Sequence, residues 1–170
     1  MAVLPICKYG DPVLRERATE VTEITPELHV LIDHMVDTMY AAPGVGLAAN
    51  QVGVSKRLML IDLSVGEDPA QLHVFINPEI IETEGEITEE EGCLSIPDFV
   101  EFVTRPEWLR VKYLDREGNE QEMEAEGLMA RAVCHEIDHL NGALFIDYLR
   151  GLKKERILKR IQKVIRLGGW

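Results

Sequence analysis

Two histidines four residues apart constrain this chain more than any other feature of its sequence. His135-Glu136-x-x-His139 lies in the segment 126–141, where apolar residues recur at helical spacing. Four residues turn a helix through about 400°, so the two imidazoles lie on one face, within about 40° of each other. Both can then bind one cation, and the segment is predicted to be a metal-binding helix.

The glutamate beside the first histidine fits a catalytic role. Glu136 lies about 80° from the midpoint of the two histidines, where it can reach a water on the metal without binding the metal. H-E-x-x-H is the arrangement of metal hydrolases that use the glutamate as general base. The alternative is a surface helix with two unrelated histidines. Apolar residues in the same segment favour the metal site, namely Val133, Ile137 and Leu140.

A catalytic site of this kind needs a third protein ligand and one position open to water. Cys134 points about 120° away from the histidines on the helix and is a poor candidate. Cys7 has no polar neighbours in sequence and fits a small buried residue. Cys93 follows Gly92, which lets the backbone approach another group closely. Cys93 is therefore only modestly ahead of the many carboxylates.

A glycine-rich segment, Gly44–Gln51, follows the first predicted helix. Read as G-x-G-x-x-A it is similar to a dinucleotide-binding loop, with Asp62 after an apparent strand. We reject that interpretation and expect no dinucleotide cofactor, because the segment follows a helix and Gly53 leaves little room for another. The small residues instead indicate a backbone lying against a ligand or another segment. Gln51 is then a satisfied core amide or a donor to a substrate carbonyl.

The remaining pattern predicts a helix, many short strands and two further helices. Thr25 followed by Pro26 is a strong helix start. This order indicates an α+β fold, with antiparallel strands packed around a central metal-binding helix and a helix at each end. The length suits one domain over 1–170. The predicted helices are 26–40, 126–141 and 152–167, and the predicted strands are 57–63, 72–77, 85–91, 99–105, 109–115 and 121–125.

The net charge of −12 is unevenly distributed. Residues 151–170 carry seven Lys/Arg and one acid, whereas the other 150 residues carry 11 basic and 29 acidic side chains. The body should repel nucleic acid and the tail attract it. No apolar run is long enough to cross a bilayer, and the N-terminus lacks the features of a signal or transit peptide. We therefore expect a cytoplasmic protein without membrane contact.

Taken together, three motifs resemble those of the peptide deformylases. Gly44–Gln51 matches G-x-G-x-A-A-x-Q, the segment 91–95 matches E-G-C-L-S, and the segment 135–139 matches H-E-x-x-H, in the family's order. The segment 8–15 is similar to the family's opening. The resemblance covers nearly the whole chain and is closest to the typical bacterial class.

The resemblance implies an enzyme that removes the formyl group from the N-terminal formylmethionine of newly synthesised polypeptides and releases formate. Cys93, His135 and His139 would bind one divalent metal ion. In this family the ion is usually iron(II), although zinc, nickel or cobalt can occupy the site, and the ligand set does not choose among them by softness alone. Glu136 would take a proton from the attacking water and pass it to the leaving amine.

The resemblance also assigns residues to the substrate. The Gln51 side chain and the Leu94 backbone N–H would hold the formyl oxygen as it becomes an oxyanion, and one such donor is worth about 2.7–4 kcal/mol. The Gly46 backbone would bind the peptide in an extended conformation. Val45 and Leu128 would line the pocket for the methionine side chain.

Two rival functions share part of this pattern. A metallopeptidase would use the same H-E-x-x-H motif, but it would usually not use a cysteine ligand and would not explain the segment Gly44–Gln51. An inactive relative that binds only metal or the ribosome would be expected to lack Glu136, Gln51 or Cys93, and all three are present.

The basic tail and one departure from the family complete the sequence picture. The tail is either a solvated helix packed on the body or, as the resemblance implies, a segment that docks on the ribosome. Some relatives carry an arginine after Ser-Ile-Pro that contacts the distal end of the substrate, whereas this chain has Asp98 after Pro97. Asn50 occupies a variable position of its motif, and little consequence is expected.

Overall fold

The computed structural model describes residues 2–170, which form helices and two antiparallel sheets. The α-helices are α1 (Pro26–Ala41), α2 (Leu128–Leu140) and α3 (Gly151–Arg166). The strands are β1 (Gly46–Ala48), β2 (Leu58–Ile61), β3 (His73–Glu84), β4 (Ile87–Cys93), β5 (Ile96–Arg105), β6 (Trp108–Leu114) and β7 (Glu120–Glu126). Short 3₁₀ helices lie at Pro12–Arg15, Ala49–Val52, Pro69–Gln71 and Phe145–Tyr148.

Both sheets pack against the central helix. One has five strands in the order β1-β2-β3-β6-β7, and the other is the β4–β5 hairpin. Helix α2 contacts β1, β2 and β7 of the first sheet and β5 of the second. The predicted α+β fold, with antiparallel strands around this helix, is therefore confirmed.

Helix α1 begins where its capping signal predicted. The Thr25 side chain accepts a hydrogen bond of 3.1 Å from the backbone N–H of Leu28, and Pro26 occupies the first turn. Both groups satisfy or remove N–H donors that would otherwise have no partner at a helix start. The buried face of α1 then packs on β1, which belongs to the glycine-rich segment, and on β2.

Helix α2 is shorter than predicted at its start. Glu126 remains in β7, paired with Trp108, and Gly127 turns the chain with a φ of 60°. At the other end Gly142 has a φ of 79°, and a Cβ there would lie 2.5 Å from the backbone oxygen of Arg15. Glycine is therefore required at this end for both conformation and space.

Two strand predictions were incomplete. Gly46–Ala48, predicted as part of a loop, forms β1 and pairs antiparallel with β2, so the small residues do place backbone against another segment. Strand β3 continues well beyond residue 77, after a register shift next to Asn77, whose φ is 51°. That residue bonds the Val21 backbone through both its amide nitrogen and its oxygen, which stabilises the irregularity.

The core consists of three apolar clusters, and the first of them contains the buried apolar residues of α2. The first lies between α2 and the five-stranded sheet, and the second joins α1 to β1 and β2. The third joins the β4–β5 hairpin to α3 and to the 3₁₀ helix before it. Helix α3 buries only Ile157 and Ile161 in that cluster. None of the helices described in residues 2–170 combines the length and apolar character needed to span a membrane.

Candidate metal centre

Three potential metal ligands converge from two elements. Cys93 is the last residue of β4, whereas His135 and His139 project from one face of α2. Nε2 of His139 lies 3.2 Å from Nε2 of His135 and 3.3 Å from Sγ of Cys93. All three donor atoms lie within 4.8 Å of one another.

This donor set fits a single metal ion. Metal–nitrogen bonds of about 2.0–2.1 Å and a metal–sulfur bond of about 2.3 Å in a tetrahedron would place the donors about 3.3–3.6 Å apart. Two of the three donor pairs, at 3.2 and 3.3 Å, are close to this spacing. Burial opposes ionisation of Cys93, but the charges and hydrogen bonds of the two imidazoles hold the pKa of its thiol well below the ordinary value. A thiolate is the form that binds metals.

Glu91 fixes the orientation of His135. Nδ1 of His135 lies 2.6 Å from Oε2 of Glu91. An ionised carboxylate can only accept, so Nδ1 carries the proton and the lone pair of Nε2 faces the other donors. Partners of this kind orient metal-binding histidines and raise their basicity.

The same carboxylate is held by two buried arginines. Arg105 donates to both oxygens of Glu91, through Nε at 3.0 Å and Nη2 at 2.6 Å, and Nη1 of Arg131 donates at 3.0 Å. Burial alone would raise the pKa of Glu91, but hydrogen bonds and charges from His135 and Arg105 lower it to about 2. Glu91 therefore stays ionised, and each of its oxygens accepts two hydrogen bonds.

This network continues from the centre towards the surface. Nη1 of Arg105 lies 2.6 Å from Oδ2 of Asp138. The same oxygen accepts a hydrogen bond of 2.8 Å from the hydroxyl of Tyr148. Removing one partner of a buried ion pair typically costs about 3–5 kcal/mol, because it leaves an uncompensated charge. The position of His135 is thus coupled to a rigid group of charges.

Glu136 is buried at the inner end of the cleft. Its Oε2 lies 3.9 Å from Nε2 of His135, so the carboxylate is close to the three donors without joining them. Burial raises the pKa of Glu136 above its ordinary value. A Cβ on Gly46 would lie only 2.7 Å from Oε2 of Glu136, so glycine leaves the space that this carboxylate occupies.

Gln51 points its amide nitrogen towards the same space. Its Oε1 accepts a hydrogen bond of 3.0 Å from the backbone N–H of Ala48, which orients the amide group. Nε2 then lies 3.1 Å from Oγ of Ser95 and 3.8 Å from Sγ of Cys93. The two sequence interpretations of Gln51 are therefore compatible, because a buried, hydrogen-bonded amide still directs a donor into the cleft.

The tip of the β4–β5 hairpin carries Leu94. Leu94 and Ser95 connect the two strands, and the backbone N–H of Ser95 donates to Sγ of Cys93 at 3.4 Å. A Cβ on Gly44 would lie 2.8 Å from the Leu94 side chain, so glycine allows the hairpin tip to approach the segment before β1. The glycine-rich motif and the hairpin motif thus form opposite sides of one opening.

A cleft of about 650 Å³ leads to the donors. Val45 and Leu128 lie at its mouth and are 36% and 55% exposed, so apolar surface is available there without a ligand. His139 is almost completely buried behind the cleft. The other predicted site residues all line it, namely Val45, Gly46, Gln51, Cys93, Leu94, Leu128, His135 and Glu136.

Sequence reasoning missed the residues that support the ligands. Glu91, Arg105 and Arg131 were given no role, although a carboxylate two residues before a candidate ligand was a usable signal for a supporting partner. Asn50 was expected to matter little, yet its side-chain amide donates to the backbone oxygen of His139. No local pattern predicts that contact, because the two residues are 89 positions apart.

The other cysteines lie outside the group. Cys134 is buried in the cluster between α2 and the five-stranded sheet, where burial raises the pKa of its thiol to about 11. Burial, followed by the charge of Asp11, also raises the pKa of the Cys7 thiol.

Comparison with known proteins gives a consistent result. Residues 3–155 match the family model of the polypeptide deformylases. A peptide deformylase of Acidobacterium capsulatum is 51% identical over 170 residues, which covers all of both chains. The crystal structure of a peptide deformylase from Legionella pneumophila has a TM-score of 0.92 and 44% identity, covering 98% of each chain. One from Synechococcus elongatus, solved with actinonin, has a TM-score of 0.87 and 44% identity, covering 92% of this chain and 87% of its own.

Proposed function

The chain belongs to the polypeptide deformylase family, and from that premise we propose how its residues carry out the reaction. The protein is a hydrolase that removes the formyl group from the N-terminal formylmethionine of newly synthesised polypeptides. We propose that residues 1–170 form a single catalytic domain working in the cytoplasm. The observation that carries the mechanism is the Glu136 carboxylate beside three converging donors at the inner end of a cleft.

We propose that Cys93, His135 and His139 hold one divalent ion. The close spacing of their donor atoms and the carboxylate behind His135 support this assignment. We propose iron(II) as the native ion on the family resemblance, with zinc, nickel or cobalt as possible substitutes, since thiolate and imidazole ligands accept several first-row metals. When bound by these residues, such an ion would supply Lewis-acid chemistry, which polarises a carbonyl and lowers the pKa of a water.

Glu136 is the proposed proton carrier. Its carboxylate accepts a proton from the attacking water and delivers it to the amine that leaves as the formyl C–N bond breaks. Burial raises the pKa of Glu136 and brings its proton affinity closer to what transfer near neutral pH requires. Positioned general acid–base groups of this kind typically contribute about 10²–10⁴-fold to the rate.

Gln51 and Leu94 are the proposed donors to the formyl oxygen. Nε2 of Gln51 is held in the cleft by the contact of Oε1 with the Ala48 backbone, so it needs no reorganisation when charge develops on the oxygen. The Leu94 backbone lies at the hairpin tip next to Cys93. Two donors on opposite sides of the opening can orient the formyl group for attack.

The cleft walls are the proposed peptide site. The Gly46 backbone lies at the start of β1, an edge strand of the five-stranded sheet, so an extended peptide can pair alongside it. Val45 and Leu128 offer apolar surface for the methionine side chain at the mouth. Actinonin, bound by the Synechococcus elongatus relative, is therefore a suitable probe of this cleft.

Formate release from a short formyl-Met peptide tests the mechanism. The protein should be purified anaerobically, loaded with iron(II) and compared with Glu136→Ala. We expect rapid release by the parent and a loss of about 10²–10⁴-fold in the variant, with bound metal unchanged. Full activity of a metal-loaded Glu136→Ala protein would refute the assigned role. Metal analysis of protein purified without added metal decides the native ion.

We also propose that α3 docks on the ribosome. Six of its seven basic residues are exposed, and ribosomal RNA supplies the opposite charge. We expect salt-sensitive binding to ribosomes that is lost when 151–170 is deleted or when Lys159, Lys163 and Arg166 are changed to glutamate. Unchanged binding by the folded charge-reversed protein would refute docking through this surface.

A further inference from the structure

A second cleft lies beside the first. It has a volume of about 520 Å³ and separates β5 from α3. Asp98, Phe99 and Val100 line both clefts, so the two are adjacent along one stretch of β5. The α3 side contributes three basic residues, Lys153, Arg156 and Arg160, with apolar Ile157 between them.

The charges of this second cleft are only partly neutralised. Nζ of Lys153 lies 3.3 Å from the Glu101 carboxylate. Within residues 2–170, no carboxylate lies within 4.0 Å of the guanidinium of Arg156 or Arg160. Asp98 is the other acid on its wall. Basic groups without partners are notable here because the chain outside 151–170 is strongly acidic.

The wall shared by the two clefts is held in place from the α3 side. The guanidinium carbon of Arg160 lies 5.1 Å from the ring centroid of Phe99, and the ring of Trp170 meets Phe99 edge-on with centroids 6.3 Å apart. Val100, the next residue, is 58% exposed. A chain leaving the first cleft can therefore cross apolar surface at Val100 and reach the basic side chains beyond it.

Six of the seven basic residues of α3 form one broad face, about 140° wide. At about 100° per residue, Lys153, Arg156 and Arg160 lie on one side of the helix. Lys159, Lys163 and Arg166 lie on a side about 85° further round, away from Ile157 and Ile161. The first three residues line the second cleft, and the other three do not.

We propose that the second cleft receives the downstream residues of the formylated peptide and favours acidic side chains there. The inference rests on the proposed function, because the peptide must first place its formyl group at the metal centre. An extended chain spans about 3.3–3.6 Å per residue, so residues several positions after the methionine enter the basic cleft. Arg156 and Arg160 then supply positive charge beside a body whose net charge is negative.

A peptide series tests this preference. Neutral formyl-Met peptides of seven residues receive one Glu, Gln or Lys at each of positions three to seven in turn, and kcat/KM is measured with the metal-loaded protein. We expect Glu to exceed Gln by about two- to fivefold at one or two adjacent positions, with Lys below Gln, as for one exposed ion pair. Raising the salt concentration should reduce this ratio. Equal kcat/KM for the three peptides at every position would overturn the proposal.

A matched pair of variants locates the effect. Arg156→Glu and Lys159→Glu make the same change of charge on α3, but only Arg156 lines the second cleft. We expect Arg156→Glu to abolish or invert the Glu/Gln ratio and Lys159→Glu to preserve it. An equal fall in both variants would show a general field effect and overturn the assignment, as would a ratio unaffected by either.

Failure of this inference is distinguishable from failure of the proposed function. If the parent releases formate from every peptide without regard to charge, the second cleft has no role in selection. If the metal-loaded parent releases no formate from the neutral peptide, the proposed function itself is wrong.

Discussion

Helices α2 and α3 have similar lengths and opposite surroundings. Ten of the 13 residues of α2 are buried, but only two of the 16 residues of α3. Helix α2 nevertheless carries charged and polar groups into the interior, where Glu91 pairs with Arg131 and His135 of this helix. Helix α3 keeps most of its charges in solvent and attaches through Ile157 and Ile161.

The difference shows two uses of polar side chains. On α2, Arg131 and His135 are fixed by buried partners, whereas Oε1 of Glu136 and Nδ1 of His139 have no hydrogen-bond partner within residues 2–170. Fixed partners of this kind can hold a metal ligand in one geometry. Exposed charges on α3 keep their freedom and their long-range field, which suits contact with a charged partner. Disturbing the two helices should therefore have unequal effects.

The rate of thiol alkylation should differ more between the two helices than any other property. Cys134 on α2 is buried, and burial raises its pKa to about 11, so it should react only when α2 opens. A cysteine introduced by Gln162→Cys on exposed α3 should react at least about 10³-fold faster, because global opening of a domain costs about 5–15 kcal/mol. Peptide mass spectrometry of the metal-loaded protein measures both rates. Comparable rates would mean that α2 opens locally.

Removal of one carboxylate should lower the free energy of unfolding far more beside α2 than beside α3. Glu91→Gln should lower the free energy of unfolding by about 3–5 kcal/mol, because Arg105 and Arg131 lose their buried partner. Glu101→Gln, which removes the partner of Lys153 near α3, should cost less than about 1 kcal/mol. Urea denaturation provides both values.

The same pair of variants also tests the support of the metal centre. Glu91→Gln should weaken metal binding about 10–100-fold, because His135 loses the carboxylate that orients it. Competition with a chelator measures this without using activity, and Glu101→Gln is the control. Equal affinity in the two variants would contradict an orienting role for Glu91.

Apolar truncation should distinguish the helices less strongly. Leu140→Ala on α2 should cost about 2–5 kcal/mol, as expected for a fully buried leucine. Ile161→Ala on α3 should cost less in the global transition, because we expect α3, which buries only two residues, to detach while the rest stays folded. Hydrogen exchange should then show faster exchange along α3 alone. An equal loss of global stability in both variants would instead make α3 part of the same cooperative unit.

Deletion of residues 151–170 should have the smallest effect, because it should leave the rate of the chemical step nearly unchanged. No residue of α3 is among the proposed ligands, proton carrier or oxyanion donors. For a short neutral formyl-Met peptide we therefore expect kcat to change by less than about tenfold, provided that the truncated protein stays folded by circular dichroism. A larger loss in a folded, metal-loaded protein would show that α3 supports the hairpin that carries Cys93.

Sequence reasoning succeeded where the information was local. The Thr25 cap and the spacing of His135 and His139 are local patterns, and the structure has both helices. The predicted start of α2 was two residues too early, because Glu126 pairs with Trp108 of a distant strand. Strand β1 was missed for the same reason, because a short segment of small residues becomes a strand only when β2 lies beside it.

The candidate site divides in the same way. Motifs and their resemblance to a family named the residues that line the cleft, and one of these, Gly46, has a plain steric reason in the space taken by Glu136. The supporting arginines depend on contacts between distant segments, as with Arg131 and Ile87, which are 44 positions apart. Nothing in the local sequence around Arg131 distinguishes it from an exposed basic residue.

The convergence of Cys93 and His139 has a consequence for the unfolded chain. These residues are 46 positions apart in sequence, yet their donor atoms lie 3.3 Å apart. An ion that joins them acts as a cross-link, and closing a loop of this size restricts the unfolded ensemble by about 4 kcal/mol in the chain-entropy model used for disulfides. The metal would thus fasten the hairpin to the central helix, so that chelation lowers the melting temperature as well as the activity.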